Sequence, residues 1–119
     1  MEKLCKIRDI QRGIMEFEQQ FVERYGICLN EGMALCSIFK SENKRLTSGE
    51  IGELLGLAHS NTSKVLASIE KKELVKRTLG KADKRQMYFS LTGKGEKLLS
   101  SIKCEEMIFR EVISQNVNL

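Results

Sequence analysis

The chain of 119 residues is 41% hydrophobic and 30% charged, which fits one globular domain with a modest core and no second independent domain. No apolar run approaches the roughly 20 residues that cross a bilayer, and no secretory apolar segment follows the start, so we expect a cytoplasmic protein. The net charge of +4 is only a weak indication of an anionic partner.

Apolar residues at spacings of three and four predict one long helix over residues 3–24; they are Ile7, Ile10, Ile14, Phe17 and Phe21. Gly26 suits the left-handed position that follows a helix end. Asn30 can cap a second helix that runs to about Ser41. The polar residues 41–45 then indicate a loop.

A capping box predicts the start of a short third helix, because the Thr47 hydroxyl and the Glu50 carboxylate can each satisfy one backbone N–H group. A tight connection over residues 56–59 follows, and Ser60 or Asn61 is expected to cap a fourth helix. Its inward positions are Val65, Leu66 and Ile69. Two short helices joined by a brief turn are typical of a helix-turn-helix.

Two short β-rich runs, residues 74–79 and 86–91, predict a hairpin with Gly80 at its bend. Thr92 is then expected to cap a last helix that continues to near the end of the sequence. One side of this helix is apolar, with Leu98, Ile102, Phe109 and Val112.

This order predicts a mainly α fold with a small β-hairpin, in the arrangement of a winged helix-turn-helix domain. Within a single domain we expect an N-terminal dimerisation helix over residues 1–28 and the winged helix-turn-helix over residues 29–91. A C-terminal dimerisation helix would occupy residues 92–119.

The distribution of charge points to nucleic acid. Residues 64–85 contain eight cations and three anions, whereas the rest of the chain sums to minus one. A basic stretch can be an ordinary solvated face, but this one covers the fourth helix and the hairpin tip. Polar side chains of the fourth helix would enter a major groove, and cations of the tip would reach a minor groove. At the tip, Asp83 is expected to hold Arg85 in a fixed direction.

The chain resembles the MarR-type transcriptional regulators over about residues 30–100. The matching motifs are Asp83-x-Arg85, Leu91-Thr92-x-x-Gly95, and the helix-turn-helix segments 46–51 and 62–66. The resemblance implies a homodimer that binds a pseudo-palindromic operator in double-stranded DNA, most simply as a repressor. It implies base contacts from Ser60, Asn61, Thr62, Ser63 and Lys64.

The same resemblance makes Arg85 the wing contact and Asp83 its orienting partner, and the adjacent Lys81 and Lys84 add positive charge. Thr47 and Ser48, at a helix start, could offer backbone amides to a phosphate.

Two features depart from the family. Relatives often have glycine where this chain has Glu73, so a positive φ there would strain the residue by about 1 kcal/mol. Relatives also usually continue into a further helix that interlocks the dimer. Here the dimer interface is expected on the first and last helices, at Ile7, Ile10, Ile14, Phe17, Leu98, Ile102, Phe109 and Val112.

Other functions are less well supported. One histidine, no phosphate loop and no nucleophile elbow give no catalytic constellation, and the spread of Cys5, Cys28, Cys36 and Cys104 suits no metal or other cofactor. A winged helix used only for protein contact stays open as an alternative. So does regulation by a small-molecule or oxidant effector, for which Cys5 is the candidate redox residue.

Overall fold

The computed structural model describes residues 2–80 and 85–103. Their elements in chain order are α1 (Glu2–Tyr25), α2 (Leu29–Lys40), β1 (Arg45–Thr47), α3 (Ser48–Leu55), α4 (His59–Lys71), β2 (Val75–Leu79), β3 (Met87–Leu91) and α5 (Gly93–Lys103). The chain forms two compact units: one contains α1 and the last residues of α5, and the other contains residues 30–100. The fold is mainly helical with a small antiparallel sheet, as predicted.

Helix α1 confirms the first predicted helix and exceeds it by one residue at each end. Aromatic rings one turn apart line its second half, with centroids 5.9 Å apart for Phe17 and Phe21 and 4.9 Å apart for Phe21 and Tyr25. Gly26 ends the helix with φ 72°, and its N–H donates to the carbonyl oxygen of Val22. Within residues 2–80 and 85–103, no helix has the length and apolar character to cross a membrane.

The helix-turn-helix is formed by α3 and α4. The predicted capping box is present, since the Thr47 hydroxyl accepts from the Glu50 amide and the Glu50 carboxylate accepts from the Thr47 amide. Gly56 ends α3 at φ 66°, and the Leu57 amide donates back to the Gly52 carbonyl oxygen at 2.9 Å. These bonds close the last turn of α3 and reverse the chain within a few residues.

The expected start of α4 is wrong. The helix begins at His59, and its N-cap residue is Ala58, whose side chain makes no capping hydrogen bond. Ser60 and Asn61 therefore lie inside the first turn, where their side chains do not serve the helix backbone as N-caps.

Three strands form one sheet in the order β1-β3-β2. The predicted hairpin is confirmed as β2 and β3, with Val75 opposite Leu91 and Leu79 opposite Met87. The third strand, β1, was not predicted, and its first residue, Arg45, had been assigned to the loop over residues 41–45. It pairs with β3 through Leu46 opposite Phe89.

One face of the sheet is buried against the helices of its unit. Alternation along the strands puts Leu46, Val75 and Phe89 on this face, where each is at most 7% exposed. The helices of residues 30–100 supply the rest of that core, namely Ala34, Leu35, Ile38, Ile51, Leu66, Ile69 and Leu99. The core therefore lies under α4 and the base of the hairpin and fixes their positions.

Helix α5 starts as predicted. Thr92 precedes it, and the Thr92 hydroxyl accepts from the Gly95 amide at 3.1 Å. Leu98 and Ile102 are half-buried on this helix. The predicted continuation of the helix, including Phe109 and Val112, lies outside the described residues.

Candidate nucleic-acid interface

The first half of α4 presents a polar, unobstructed surface. Its side chains His59, Ser60, Asn61, Ser63 and Lys64 are all exposed, and residues 59–69 contain no aspartate or glutamate. Hydroxyl, amide and ammonium groups can bond to base edges and to phosphate oxygens. This surface carries four of the five base contacts that were predicted.

Thr62, the fifth predicted base contact, lies on the opposite side of the helix. It is 2% exposed, and its hydroxyl donates to the Ala58 carbonyl oxygen at 3.0 Å. A Cβ added to Gly52 would come within 2.8 Å of the Thr62 hydroxyl oxygen, so Thr62 packs directly against α3 at Gly52. Its position gives it a packing role between the two helices.

At the start of α3, only one of the two backbone amides that were expected to contact a phosphate is available. The Thr47 N–H donates to the Glu50 carboxylate at 3.0 Å, so this amide is occupied within the chain. Ser48 is the first residue of the helix and is half-buried, and its amide has no partner one turn back in the helix. Of the two predicted phosphate contacts at this end, Ser48 therefore fits the role better.

The wing is attached to α4 by an ion pair that sequence reasoning missed. The Arg77 Nε donates to a Glu70 carboxylate oxygen at 2.6 Å, and the guanidinium carbon lies 5.4 Å from the centre of the Phe89 ring. Both side chains are partly exposed, so the pair orients the hairpin more than it stabilises the fold.

Arg85 lies in the turn before β3 and is exposed. The loop is closed at its base by the Gly80 N–H, which donates to the Gln86 carbonyl oxygen at 2.9 Å. Lys81, Asp83 and Lys84 lie outside the described residues, so the predicted pairing of Asp83 with Arg85 stays a prediction.

A buried carboxylate holds the second half of α4. Glu31 of α2 is 5% exposed, and it accepts from the Ser68 hydroxyl at 2.8 Å and from the Lys72 ammonium at 3.0 Å. A buried carboxylate is tolerated only when it is paired and hydrogen-bonded. This network was also missed, because its partners are far apart in the sequence.

In the turn between α4 and β2, Glu73 has a φ of 61°, which is the condition under which strain was expected at this residue. The Glu73 amide donates to the Glu70 carbonyl oxygen and the Leu74 amide to that of Ile69, which is the Schellman arrangement. The Thr92 hydroxyl donates to the Glu73 carbonyl oxygen at 2.6 Å.

Two further contacts join this turn to α5. The Lys94 ammonium donates to the Lys72 carbonyl oxygen at 3.0 Å. A Cβ on Gly95 would overlap the Leu74 carbonyl oxygen, so only glycine fits there. The motif Leu91-Thr92-x-x-Gly95 therefore fastens the base of the wing to α5.

Helix α1 leaves much apolar surface uncovered. Of the predicted interface residues, Ile7 and Ile14 are 52% and 49% exposed, whereas Ile10 and Phe17 are half-buried. Leu4, Met15 and Val22 are also exposed on this helix. Cys5 is an exposed free thiol near the start of α1.

Comparison with known proteins agrees with this geometry. The MarR family model matches residues 39–86, which contain α3, α4 and most of the wing. The HTH-type transcriptional regulator PapX of Escherichia coli is 26% identical over 91% of this chain and 75% of its own length. The transcriptional repressor MprA of Escherichia coli K12 is 24% identical over 86% of this chain and 57% of its own length. The crystal structure of a MepR–DNA complex from S. aureus superposes with a TM-score of 0.76 at 25% identity, and the match covers 92% of this chain and 77% of that one.

Proposed function

We propose that the chain is a winged helix-turn-helix protein of the MarR type, which binds double-stranded DNA as a homodimer and represses transcription. The known roles of similar proteins support this proposal. PapX is a transcriptional regulator, MprA is a transcriptional repressor, and MepR has been crystallised in complex with DNA. We infer that the protein acts by binding and not by catalysis, in the cytoplasm, where the DNA is.

The exposed first half of α4 is the observation that carries the proposal. Ser60, Asn61, Ser63 and Lys64 lie on a helix with no acidic residue before Glu70, so phosphates meet no repulsion from this surface. An α-helix fits the major groove of B-DNA, where these side chains would contact bases and backbone. Thr62 is left out of the contacting set, because a buried side chain cannot reach a base.

The wing supplies the second contact. Arg85 would enter the adjacent minor groove, with Lys81 and Lys84 near the phosphates and Asp83 orienting the guanidinium. The ion pair between Arg77 and Glu70 supports this role, since it fixes the direction of the hairpin relative to α4.

The exposed apolar residues of α1 support a two-fold dimer. Apolar surface of this extent on a charged helix favours burial against a second copy. A symmetric pair would present its two α4 helices to successive major grooves about 34–36 Å apart. The bound site would then be pseudo-palindromic, and occupancy of a promoter would repress it.

A titration of labelled duplex DNA, followed by fluorescence anisotropy at several salt concentrations, tests the proposal. The DNA upstream of the protein's own gene and a duplex of mixed sequence serve as probes. With about six phosphates contacted, the logarithm of the association constant should fall with log salt at a slope of roughly minus five. A module that binds only proteins would show no such binding.

Two variants separate backbone contact from sequence reading. Arg85→Ala should weaken binding to every duplex by about 1–3 kcal/mol, whereas Asn61→Ala should change the ratio of affinities between the two probes. Lys40→Gln, at the exposed end of α2, is the matched control for loss of one charge. If neither Arg85→Ala nor Asn61→Ala changes the measured affinities, the proposed DNA-binding surface on α4 and the wing is wrong.

A further inference from the structure

The sheet has a second face, which turns away from the core. Residues directly opposite each other in neighbouring strands lie on the same side of a sheet. The register therefore collects six residues on what we name the outer sheet face: Arg45, Thr47, Lys76, Thr78, Tyr88 and Ser90. All six are exposed or half-buried, and none of the three strands contains an acidic residue.

Two cations flank a hydroxyl in one row of this face. Lys76 and Arg45 both lie opposite Ser90, one on each neighbouring strand. Neighbouring strands are about 4.8 Å apart, so both long side chains can reach a single anion placed over Ser90 or Tyr88. Within residues 2–80 and 85–103, neither cation forms a salt bridge.

An aromatic ring fixes the Arg45 guanidinium. The guanidinium carbon lies 4.2 Å from the centre of the Tyr88 ring, and the Tyr88 hydroxyl donates to the Gln86 side chain at 2.6 Å. Tyr88 lies two residues, about 7 Å along the strand, nearer the wing loop than Ser90, so the stack directs the guanidinium toward the loop. A stacked guanidinium keeps its N–H edge available for a planar, bidentate contact with a phosphate.

We propose that the outer sheet face binds a phosphate of the DNA backbone through Arg45 and Lys76, with Tyr88 as the positioning residue. The inference rests on the proposed DNA-binding function and adds a contact beyond α4 and the wing loop. DNA is the favoured occupant because the outer sheet face is continuous with two parts of the proposed interface. Thr47 connects it to the start of α3, and β2 and β3 lead directly into the basic loop.

Anisotropy titrations with a duplex of mixed sequence test the contact, since a phosphate contact carries no sequence information. Because the proposed dimer has two such faces, Arg45→Gln should weaken binding about a hundredfold at low salt, as expected for two lost charge-assisted hydrogen bonds. It should also make the salt slope less steep by about 1.8, the value for two phosphates. Lys76→Gln should act in the same direction, and Lys40→Gln should leave both quantities unchanged.

Tyr88 is tested by a pair of variants. Tyr88→Leu removes the stack and should lower affinity severalfold, whereas Tyr88→Phe keeps the ring and should retain the wild-type affinity. Circular dichroism melting of each variant reports folding separately. Phosphate-ethylation interference on the DNA upstream of the protein's own gene, with wild type and Arg45→Gln, should then show two symmetry-related interfering positions that the variant has lost.

The outcomes are distinguishable. If wild-type protein binds no duplex, the proposed function itself fails. If wild-type protein binds but Arg45→Gln matches Lys40→Gln in affinity and slope, the outer sheet face does not contact DNA, and the rest of the interface stands. A loss of affinity in Tyr88→Phe as large as in Tyr88→Leu would overturn the positioning role.

Discussion

The close approach of α3 and α4 predicts that the effect of Gly52→Ala on stability changes sign with the residue at position 62. In the wild-type background the new Cβ would lie 2.8 Å from the Thr62 hydroxyl oxygen, closer than real Cβ contacts come. Thr62 cannot rotate away without breaking its hydrogen bond to Ala58. In a Thr62→Ala background that obstacle is gone.

The expected size follows from two opposing terms. Replacing glycine by alanine inside a helix stabilises by about 1 kcal/mol. Forcing an extra methyl group into a packed contact costs about 1–3 kcal/mol, to which loss of the Thr62 hydrogen bond adds about 1 kcal/mol. Gly52→Ala should therefore lower the free energy of unfolding by about 1–3 kcal/mol in wild type and raise it by about 1 kcal/mol in Thr62→Ala.

Urea unfolding of the four proteins at equal protein concentration measures this coupling, because a dimer's apparent stability depends on concentration. Gly49→Ala in the same helix is the matched control, since its Cβ would have no neighbour closer than 3.9 Å. Equal destabilisation by Gly52→Ala in both backgrounds would refute the proposed contact between Gly52 and Thr62.

Two further substitutions test the turn that joins α4 to the wing. Glu73→Gly should raise the free energy of unfolding by about 1 kcal/mol, because glycine adopts a φ of 61° without strain. Thermal or urea unfolding measures this change, and Glu73→Ala, the control, should give no such gain. Gly95→Ala should lower the free energy of unfolding by about 3 kcal/mol, because the obstructing Leu74 carbonyl belongs to the backbone and cannot move aside. Gly93→Ala is the control, since its Cβ would meet nothing within 4 Å. A Gly95→Ala variant as stable as Gly93→Ala would contradict the prediction.

Regular apolar spacing made the long elements predictable. Helix α1 lies within one residue of the range expected from sequence at each end, because its turns repeat the same apolar pattern. Helix α2 ends one residue before the expected end, but it begins at Leu29, so Asn30 lies inside the helix and the prediction that Asn30 caps it is wrong. The capping box at Thr47 was also predictable, since it depends on local chemistry. Strand β1 was not, because three residues carry no periodicity and their partner β3 is distant in sequence.

The errors in the candidate site have physical causes of the same kind. Thr62 was included among the base contacts because the family resemblance implied it, although its spacing from Leu66 and Ile69 puts it on their buried face. That signal was present in the sequence. The contacts of Glu31 with Lys72 and of Arg45 with Tyr88 join segments that are far apart in the sequence, so no local sequence pattern predicts them.

The two halves of α4 differ in what holds them. The second half is held by Glu31, by Arg77 and by the turn that Thr92 and Lys94 contact. In the first half, Thr62 packs against α3, whereas the exposed side chains make no hydrogen bond or ion pair within the described residues; they are Ser60, Asn61, Ser63 and Lys64. Under the proposed function, stability and operator choice then reside in different residues of a single helix. Substitutions at Ser60, Asn61, Ser63 or Lys64 during evolution can therefore change which DNA sequence the protein prefers, while the fold stays above the stability threshold that selection enforces.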